Sequence, residues 1–478
     1  MMDWLTQVIQ HIEHTGGTVV LDSRAVNAGD VFVALPGQNV DGRDFISQVL
    51  GQQAVLVLAE STNGKQWVDG SVLWVPELGR RLGQLAEALF AVNESALTLM
   101  GVTGTNGKTS ISTFIAQCLT SEFGRCGLIG TLGAGVWPQQ QSTFNTTPDV
   151  LTNHRLLAQW AAMDVKHAVM EVSSHALSLG RVDGLRFHIA MFTQLTRDHL
   201  DFHGTMENYF AAKKMLFDPA RSQMAVICVD DRWGQELATY RRDAVRVSGK
   251  VSTAAHVAPT KIERLPQGLR VHWATPWGDG VTEASLLGEF NVANLAVVIG
   301  VLGTLGLSFS RMAELLAEVK PVAGRMQPVP LHNGALAIVD YAHTPDALEK
   351  ALAAARHHAV GRVHCVFGCG GNRDRGKRPL MAAAAAAKAD QLWITSDNPR
   401  TENFLQIVGD MVPGIPRDTN YEVVADRSEA IALAVQGAQS GDVILVAGKG
   451  HETYQEIGGV KQPYSDLEAI KAAEARTS

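Results

Sequence analysis

The chain has 478 residues, of which 46% are hydrophobic and 19% are charged. This composition excludes an intrinsically disordered chain, and at about 150 residues per domain the length predicts roughly three domains. The formal charge of −7 contains no long run of one sign, so a general nucleic-acid or anionic-membrane surface is disfavoured. A local basic pocket for an anionic ligand remains compatible with this charge.

Cysteine usage and the N-terminal sequence indicate the compartment. The cysteines contain no C-x-x-C pair, so neither a disulfide framework nor a zinc ribbon is expected, and we predict a reducing, cytoplasmic location. The N-terminal residues lack the basic region and apolar core of a signal peptide. The apolar stretch 295–307 is too short to span a membrane and contains Gly300, Gly303 and Gly306, so it predicts a buried helix.

Apolar strand-like runs alternate with glycine-rich turns and amphipathic helical segments, which is typical of parallel sheets covered by helices. A helix-like segment over 78–91 predicts a boundary near residue 94, and the proline-rich segment 320–330 predicts a second one. We therefore predict an α/β protein with domains 1–94, 95–322 and 323–478. The alanine run 382–387 predicts a helix packed closely on a sheet. Strands are predicted over 97–102, 168–172, 335–339, 363–367 and 443–447.

A phosphate-binding loop is predicted where the strand 97–102 meets a helix-like segment over 110–119. The sequence between them is Thr103-Gly104-Thr105-Asn106-Gly107-Lys108-Thr109. Its glycines allow backbone N–H groups to approach an anion, Lys108 reaches the outer phosphates, and Thr109 can hold magnesium. Valine stands at position 102, where the literal Walker spacing requires glycine, so the motif is a variant.

Acidic and histidine side chains after the loop form a candidate magnesium site. Glu171 ends a predicted strand, where a carboxylate could hold the metal. The segment 196–204 contains His199 among two histidines and two aspartates, and Lys213 follows on a helix-like segment. Magnesium prefers oxygen ligands, so the chemistry allows at most one histidine. A hydrogen-bonded turn and a solvated lysine are the alternative explanation of this cluster.

These residues resemble the Mur ligase family, the ATP-dependent peptide-bond-forming enzymes of bacterial peptidoglycan synthesis. The resemblance implies a central P-loop ATP-binding domain on a mostly parallel sheet and a C-terminal Rossmann-like α/β domain. It also implies that Lys108, Glu171, His199 and Lys213 are catalytic, and that Thr109, Glu171, His199 and carbamylated Lys213 (N6-carboxylysine) hold Mg²⁺. The ATP-binding residues that it implies are Gly104, Thr105, Asn106, Gly107, Lys108, Thr109, Ser110, Asn294, Arg325 and Asp340.

Motifs of all three predicted domains resemble the branch of the family that adds the third residue of the stem peptide. Asp397-Asn398-Pro399-Arg400 resembles the signature for meso-2,6-diaminopimelate rather than L-lysine. The implied substrate contacts in the first two domains are Leu21, Ser23, Gln38, Asn39, Val40, Asn145, Thr146, Thr147, Ser173 and Arg181. Those in the third domain are Arg373, Asp397, Asn398, Pro399, Arg400, Gly448 and Glu452. Gln38 and Leu179 depart from several relatives, and Leu179 cannot donate a side-chain hydrogen bond.

The resemblance implies that ATP phosphorylates the D-glutamate γ-carboxylate of UDP-N-acetylmuramoyl-L-alanyl-D-glutamate and that an amine of meso-diaminopimelate attacks the acyl phosphate. Arg400 can pair with the second carboxylate of diaminopimelate, whereas lysine would leave the guanidinium unpaired in a desolvated pocket. Addition of L-lysine, a folylpolyglutamate-type ligase and a nucleotide-hydrolysing switch protein are the alternatives. The chain is expected to be a monomer with closing domains, without nucleic-acid partners or membrane insertion.

Overall fold

The protein is described by a computed structural model over residues 3–37, 40–90, 96–251, 255–265 and 268–476. Within these residues, sheets of five, seven and six strands follow one another along the chain, accompanied by helices and two smaller antiparallel sheets. This arrangement confirms the predicted α/β architecture. The expected boundary near residue 94 lies within 91–95, outside the described residues, so the domain ranges stay predictions.

The first sheet has the strand order β1-β2-β3-β5-β4 and is parallel except for the β4–β5 pair. Its inner strands β2 and β3 are nearly continuous apolar runs because they are buried on both faces. The strands are β1 (Val19–Val20), β2 (Val31–Ala34), β3 (Leu56–Ser61), β4 (Trp67–Asp69) and β5 (Val72–Pro76). The helices are α1 (Trp4–Thr15), α2 (Ile46–Gly51) and α3 (Leu78–Leu89).

The second sheet has the order β12-β11-β10-β6-β9-β7-β8, and only the β7–β8 pair is antiparallel. The central strand β6 therefore has parallel neighbours on both sides. The strands of this sheet are β6 (Thr98–Thr103), β7 (Cys126–Gly130), β8 (Gly133–Val136), β9 (His167–Glu171), β10 (Phe187–Phe192), β11 (Ser222–Cys228) and β12 (Val245–Val247). A separate antiparallel sheet contains β13 (Ala258–Leu265), β14 (Gly268–Ala274) and β15 (Gly280–Ala284).

Helices of the central region pack around this sheet in two apolar clusters. They are α4 (Lys108–Phe123), α5 (Val150–Ala162), α6 (Ser174–Ser178), α7 (Leu200–His203), α8 (Met206–Lys214), α9 (Arg232–Tyr240), α10 (Phe290–Thr304) and α11 (Phe309–Ala317). Helix α4 extends beyond its predicted bounds at both ends. Helix α10 is buried on nearly every side between α4, β11 and β12, which confirms the buried helix predicted from the apolar stretch.

The third large sheet has the order β16-β17-β21-β18-β19-β20 and is parallel except at its first pair. Its strands are β16 (Gln327–Pro330), β17 (Leu336–Asp340), β18 (Val363–Phe367), β19 (Gln391–Ile394), β20 (Tyr421–Val423) and β21 (Val443–Ala447). A hairpin follows, formed by β22 (Tyr454–Ile457) and β23 (Val460–Pro463). The helices are α12 (Pro345–His358), α13 (Lys377–Ala386), α14 (Phe404–Met411), α15 (Arg427–Gly437) and α16 (Asp466–Glu474).

Two features of this region refine the sequence predictions. The proline-rich segment contributes the edge strand β16, where Pro328 and Pro330 are tolerated because one side of an edge strand needs no ladder donors. The alanine run lies mostly in α13, and Ala382 and Ala385 are fully buried. Their small side chains allow the close packing that was predicted.

The five cysteines are free and buried, and burial raises the pKa of the Cys118 and Cys369 thiols to about 12. Cys365 and Cys369 belong to an apolar cluster, in a strand position and a turn position respectively. Over the described ranges, no helix is both long enough and apolar enough to cross a membrane.

Candidate active site

The predicted phosphate loop lies between β6 and α4, at the carboxyl end of the central strand. Gly104 and Gly107 have φ angles of +147° and +87°. A Cβ at position 104 would lie 1.8 Å from Oγ1 of Thr193, and one at position 107 would lie 2.7 Å from Oδ1 of Asn294. Both positions therefore require glycine, and the loop leaves its backbone close to the space where an anion would bind.

Lys108 folds back over this loop. Its Nζ donates hydrogen bonds to the backbone carbonyls of Gly104 (2.8 Å) and Thr105 (2.9 Å). Burial lowers the pKa of Lys108, whereas the nearby carboxylates of Glu171 and Asp198 oppose that shift. The loop carbonyls thus hold the lysine where its cation can face phosphate oxygens.

The first two members of the predicted magnesium set are in contact. Thr109 Oγ1, in the first turn of α4, donates at 3.1 Å to Oε2 of Glu171, which ends β9. Glu171 is almost completely buried, and Thr131 also donates to it through its backbone N (2.8 Å) and Oγ1 (3.1 Å). These hydrogen bonds fix the orientation of the carboxylate. Thr131 was not predicted, because nothing in its local sequence distinguishes it from an ordinary turn residue.

Lys213 occupies a buried position on α8, directly behind the phosphate loop. Its Nζ donates to the carbonyl of Gly104 at 3.0 Å and lies 4.6 Å from the centre of the Tyr209 ring. Burial, reinforced by the charge of Lys108, lowers the pKa of Lys213 well below its ordinary value, although Asp198 opposes the shift. Among the described residues Lys213 forms no ion pair, so burial favours the uncharged form of its amine.

His199 precedes α7 with a φ angle of +53° and lies beside Asp198. Burial lowers the pKa of His199, while Asp198, 3.3 Å away at Nε2, opposes that change. Burial alone would raise the pKa of Asp198, but His199, Lys377 and His343 together hold it below its usual range. His199 is therefore neutral near pH 7, the form in which a ring nitrogen can bind a metal.

No group of three or more His, Cys, Asp or Glu side chains that could hold a metal occurs in the described part of the chain. The predicted set contains two such residues, Glu171 and His199, and relies on Thr109 and a modified Lys213 for further oxygens. Hydrogen bonds link Thr109 to Glu171, and Lys213 to the phosphate loop itself. The side chains present are compatible with magnesium, whose remaining ligands commonly come from water and phosphate oxygens.

The other predicted nucleotide residues border the same loop. Asn294 is buried on α10 and donates to Asn291 Oδ1 at 2.7 Å, and Ser110 is buried in the first turn of α4. Asp340 accepts from the backbone N of Met326 (2.7 Å) and of Ala342. Burial raises the pKa of Asp340, although the charge of Arg325 opposes the shift.

Arg325 connects the C-terminal region to the phosphate loop. Its Nη2 donates to Thr109 Oγ1 at 3.1 Å, and its guanidinium lies 4.4 Å from the centre of the Tyr341 ring. Its Nε is buried without a partner among the described residues. A buried donor without a partner is costly, so this nitrogen is suited to a ligand acceptor or to water.

Further contacts cross from the central sheet to the C-terminal region. Arg197 pairs with Asp374 at 3.2 Å, and Asp198 lies 3.6 Å from Nζ of Lys377. His343 Nε2 lies 3.9 Å from Oδ2 of Asp198. Asp198 stands in the segment 196–204 already noted in the sequence, but its meeting with His343 depends on the packing of two regions and had no local signal.

The predicted sugar-peptide contacts of the central region form a second group beside Glu171. Thr147 Oγ1 donates to the carbonyl of Glu171 (2.8 Å) and lies 3.4 Å from Ser173 Oγ. Arg181 donates to the carbonyl of Thr147 at 3.2 Å. Thr146 lies 3.2 Å from Thr131 through their hydroxyls, whereas Asn145 accepts at its carbonyl from Thr143. Leu179 is about half exposed at the end of α6.

The predicted sugar contacts in the first sheet are located less completely. Leu21 and Ser23 follow β1, both partly buried, and Val40 is exposed. Gln38 and Asn39 lie outside the described residues. The described contacts do not join this group to the phosphate loop.

The predicted amino-acid pocket forms around the loop 397–400 after β19. Asn398 Nδ2 donates to Glu452 Oε2 at 2.8 Å. A Cβ at Gly448 would lie 2.5 Å from Oδ2 of Asp397, an oxygen that is buried without a partner. Pro399 and Arg373 border the glycine turn 370–371. A Cβ on Gly371 would lie 1.9 Å from the carbonyl oxygen of Pro399, so this position requires glycine.

Arg400 has a φ angle of +53° and is already engaged by protein groups. Its Nη1 donates to the carbonyl of Gly371 at 2.7 Å, and its Nε is 3.5 Å from Oε2 of Glu456. The expectation that a substrate without a second carboxylate would leave this guanidinium unpaired was therefore wrong in its physical argument. Any preference for diaminopimelate over lysine must therefore come from a carboxylate that pairs with Arg400 better than Gly371 and Glu456 do. It cannot come from a guanidinium that is otherwise unpaired.

Comparison with known proteins places these motifs in one family. The chain matches a model for the Mur ligase family, catalytic domain, at residues 17–88, for the Mur ligase middle domain at 102–302, and for the Mur ligase, glutamate ligase domain at 324–450. The chain belongs to the Mur ligase family and is a ligase, as its sequence predicted.

Similar full-length proteins share one name. The chain is 44% identical over 460 residues to a UDP-N-acetylmuramoyl-L-alanyl-D-glutamate--2,6-diaminopimelate ligase of Coxiella burnetii, covering 95% of this chain and 94% of that protein. It is 42% identical over 458 residues to the protein of that name from Pseudomonas aeruginosa, with coverages of 95% and 94%. A solved structure with the same name has a TM-score of 0.67 at 35% identity, covering 96% and 95% of the two chains.

The fold is also shared with more distant ligases. The MurF ligase from Thermotoga maritima in complex with ADP has a TM-score of 0.67 at 19% identity, with both chains fully covered. This likeness confirms the predicted fold alone.

Proposed function

We propose that this chain uses ATP to join meso-2,6-diaminopimelate to the D-glutamate γ-carboxylate of UDP-N-acetylmuramoyl-L-alanyl-D-glutamate, as a step of peptidoglycan synthesis. The observation that carries the proposal is the hydrogen bond from Arg325 to Thr109, which joins the region of the amino-acid pocket to the phosphate loop. The shared name of the full-length relatives supports the choice of substrates, and the phosphate loop supports ATP.

The reaction forms an acyl phosphate and then an amide. The γ-carboxylate oxygen attacks the terminal phosphorus of ATP and releases ADP, and the amine nitrogen then attacks the acyl carbon and releases phosphate. Lys108 and the loop N–H groups stabilise charge on the transferred phosphoryl group, which is the main catalytic requirement of such chemistry. Thr147, Ser173 and Arg181 bind the sugar peptide beside Glu171, which places the γ-carboxylate near the phosphate loop.

Thr109, Glu171, His199 and carbamylated Lys213 would hold Mg²⁺, which when bound neutralises charge on the phosphate oxygens. The burial of Lys213 and the lowered pKa of its amine support this role, because only a neutral amine reacts with carbon dioxide to form a carbamate. The carbamate would replace a cation by an anionic oxygen ligand.

The C-terminal pocket would bind the amino acid through Arg373, Asn398, Arg400 and Glu452. The second carboxylate of diaminopimelate can form two parallel charge-assisted hydrogen bonds with Arg400, which are stronger than the 3.5 Å contact to Glu456. L-lysine lacks that carboxylate and would leave Arg400 with its protein partners. Addition of L-lysine is thus the second candidate reaction. The protein partners of Arg400 reduce the free-energy cost of binding a substrate that offers its guanidinium no carboxylate.

The decisive assay is amino-acid-dependent phosphate release with the UDP-sugar dipeptide, ATP and magnesium, with meso-diaminopimelate and L-lysine tested in parallel. We expect release with diaminopimelate and at least tenfold less kcat/KM with lysine. A preference for lysine would overturn the substrate assignment. Phosphate release that needs neither amino acid nor sugar peptide would instead indicate a nucleotide-hydrolysing switch.

A further inference from the structure

Lys449 is a fully buried cation beneath the amino-acid pocket. Its side chain has no exposed surface, and its Nζ donates to Glu452 Oε2 at 2.7 Å and to Asn398 Oδ1 at 3.0 Å. The centres of the Tyr454 and Tyr464 rings lie 5.6 and 5.9 Å from the ammonium. Burial of an ammonium is costly unless it is well paired, and here the pairing is made with two side chains of the proposed substrate pocket.

The contacts of Lys449 determine how Asn398 presents its amide. Oδ1 of Asn398 accepts from Lys449 and from the backbone N of Glu456 at 2.9 Å. Rotation of the amide by 180° would place its NH₂ group against both donors, so this orientation is disfavoured. The Nδ2 group therefore faces the other way, donates one hydrogen to Glu452 and retains a second.

The same contacts anchor Glu452 by one oxygen. Oε2 accepts from both Lys449 and Asn398, whereas Oε1 makes no hydrogen bond to the residues that the structure describes. One N–H of Asn398 and one oxygen of Glu452 thus have no partner among the described residues, and such a pair is suited to the carboxylate and ammonium of an amino acid.

We propose that Lys449 is a positioning residue for the amino-acid substrate, acting through Asn398 and Glu452 without touching the substrate itself. This inference rests on the proposed function. It adds that a residue beneath the amino-acid pocket orients the side chains of Asn398 and Glu452. Loss of the ammonium would remove one of the two donors to Asn398 Oδ1 and one of the two donors to Glu452 Oε2, and so weaken the orientation of both side chains. Binding of the amino acid should suffer selectively, because none of these contacts involves the phosphate loop.

Steady-state kinetics of Lys449→Met and Lys449→Gln, with each substrate varied in turn, test the proposal. We expect the KM for meso-diaminopimelate to rise about 10-fold to 100-fold, the loss typical of one charge-assisted hydrogen bond, while the KM values for ATP and the sugar peptide change less than about threefold. Lys449→Arg should restore part of the loss. Lys449→Met should add less than its full effect in a Glu452→Gln background, because both changes act on one contact.

Arg427→Lys provides a matched control. Arg427 is a second fully buried cation of the same region, and it pairs with Asp466 at 2.7 Å. Its replacement is expected to lower the melting temperature without a selective change in the KM for diaminopimelate. Equal changes of all three KM values in the Lys449 variants, or an unchanged KM for diaminopimelate, would overturn the positioning role. An inactive wild type would refute the proposed function and, with it, the role of Lys449. If the wild type is active, the kinetics of the Lys449 variants test the positioning role alone.

Discussion

Replacement of Lys213 by methionine tests the most unusual feature of the site. The lysine is 1% exposed, and its Nζ contacts the carbonyl of Gly104 rather than a carboxylate. Methionine keeps most of the apolar side chain but removes the amine that could be carbamylated. Lys214→Met is the matched control, because the adjacent lysine lies against the Tyr240 ring, away from the phosphate loop.

The magnitude follows from the burial of the amine. A lysine with the ordinary pKa of 10.5 is only about 0.1% neutral at pH 7.5, and each unit by which burial lowers the pKa raises that fraction about tenfold. The lowered pKa therefore makes a larger fraction of Lys213 available for carbamate formation than of a surface lysine. If the carbamate is a metal ligand, its loss should reduce kcat by about 100-fold or more, since even groups that only orient ligands contribute 10-fold to 100-fold.

The assay is amino-acid-dependent phosphate release in buffer depleted of carbon dioxide, with and without added bicarbonate. Wild type and Lys214→Met should lose activity on depletion and regain it with bicarbonate, more completely at pH 8.5 than at pH 6.5, because protonation blocks carbamate formation. The wild type should also show a carbamate signal in ¹³C NMR with labelled bicarbonate. Full activity of Lys213→Met, with and without bicarbonate, would refute the carbamate role.

Three further changes test other parts of the structure. Gly104→Ala should reduce kcat/KM for ATP at least tenfold in phosphate-release assays, because the added Cβ would lie 1.8 Å from Thr193 Oγ1; unchanged kinetics would contradict the close approach. Asp466→Asn should destabilise the C-terminal region by about 3–5 kcal/mol, since Arg427 would remain buried without its partner, and calorimetry should show an earlier transition. Arg400→Lys should raise the KM for diaminopimelate about tenfold or more, because a lysine cannot pair with the second carboxylate through two parallel hydrogen bonds. An equal rise in the KM for L-lysine would argue against recognition of that carboxylate by Arg400.

Much of the site was predictable because each motif combines a strand, a turn and a helix in a continuous segment. The phosphate loop needed only the glycines and lysine that follow β6, and Glu171 was identified by its position at the end of β9. Thr131, by contrast, contacts Glu171 because the turn after β7 lies beside β9 in the sheet. Asp198 meets Lys377 and His343 across two regions. Such contacts depend on sheet order and domain packing, which no local pattern specifies.

The sequence by itself determined the α/β class, the phosphate loop and the family, since glycines, a lysine and strand-end acids carry their chemistry within short segments. Only the tertiary structure decided the electrostatic state of these groups. Burial lowers the pKa of Lys213, and Gly371 and Glu456 give Arg400 partners before any substrate binds. Folding also brings Lys449 into hydrogen-bond contact with Asn398, which is 51 residues away in the chain. A pKa or an ion pair depends on the groups that surround a side chain in space, and distant segments supply those groups only after folding.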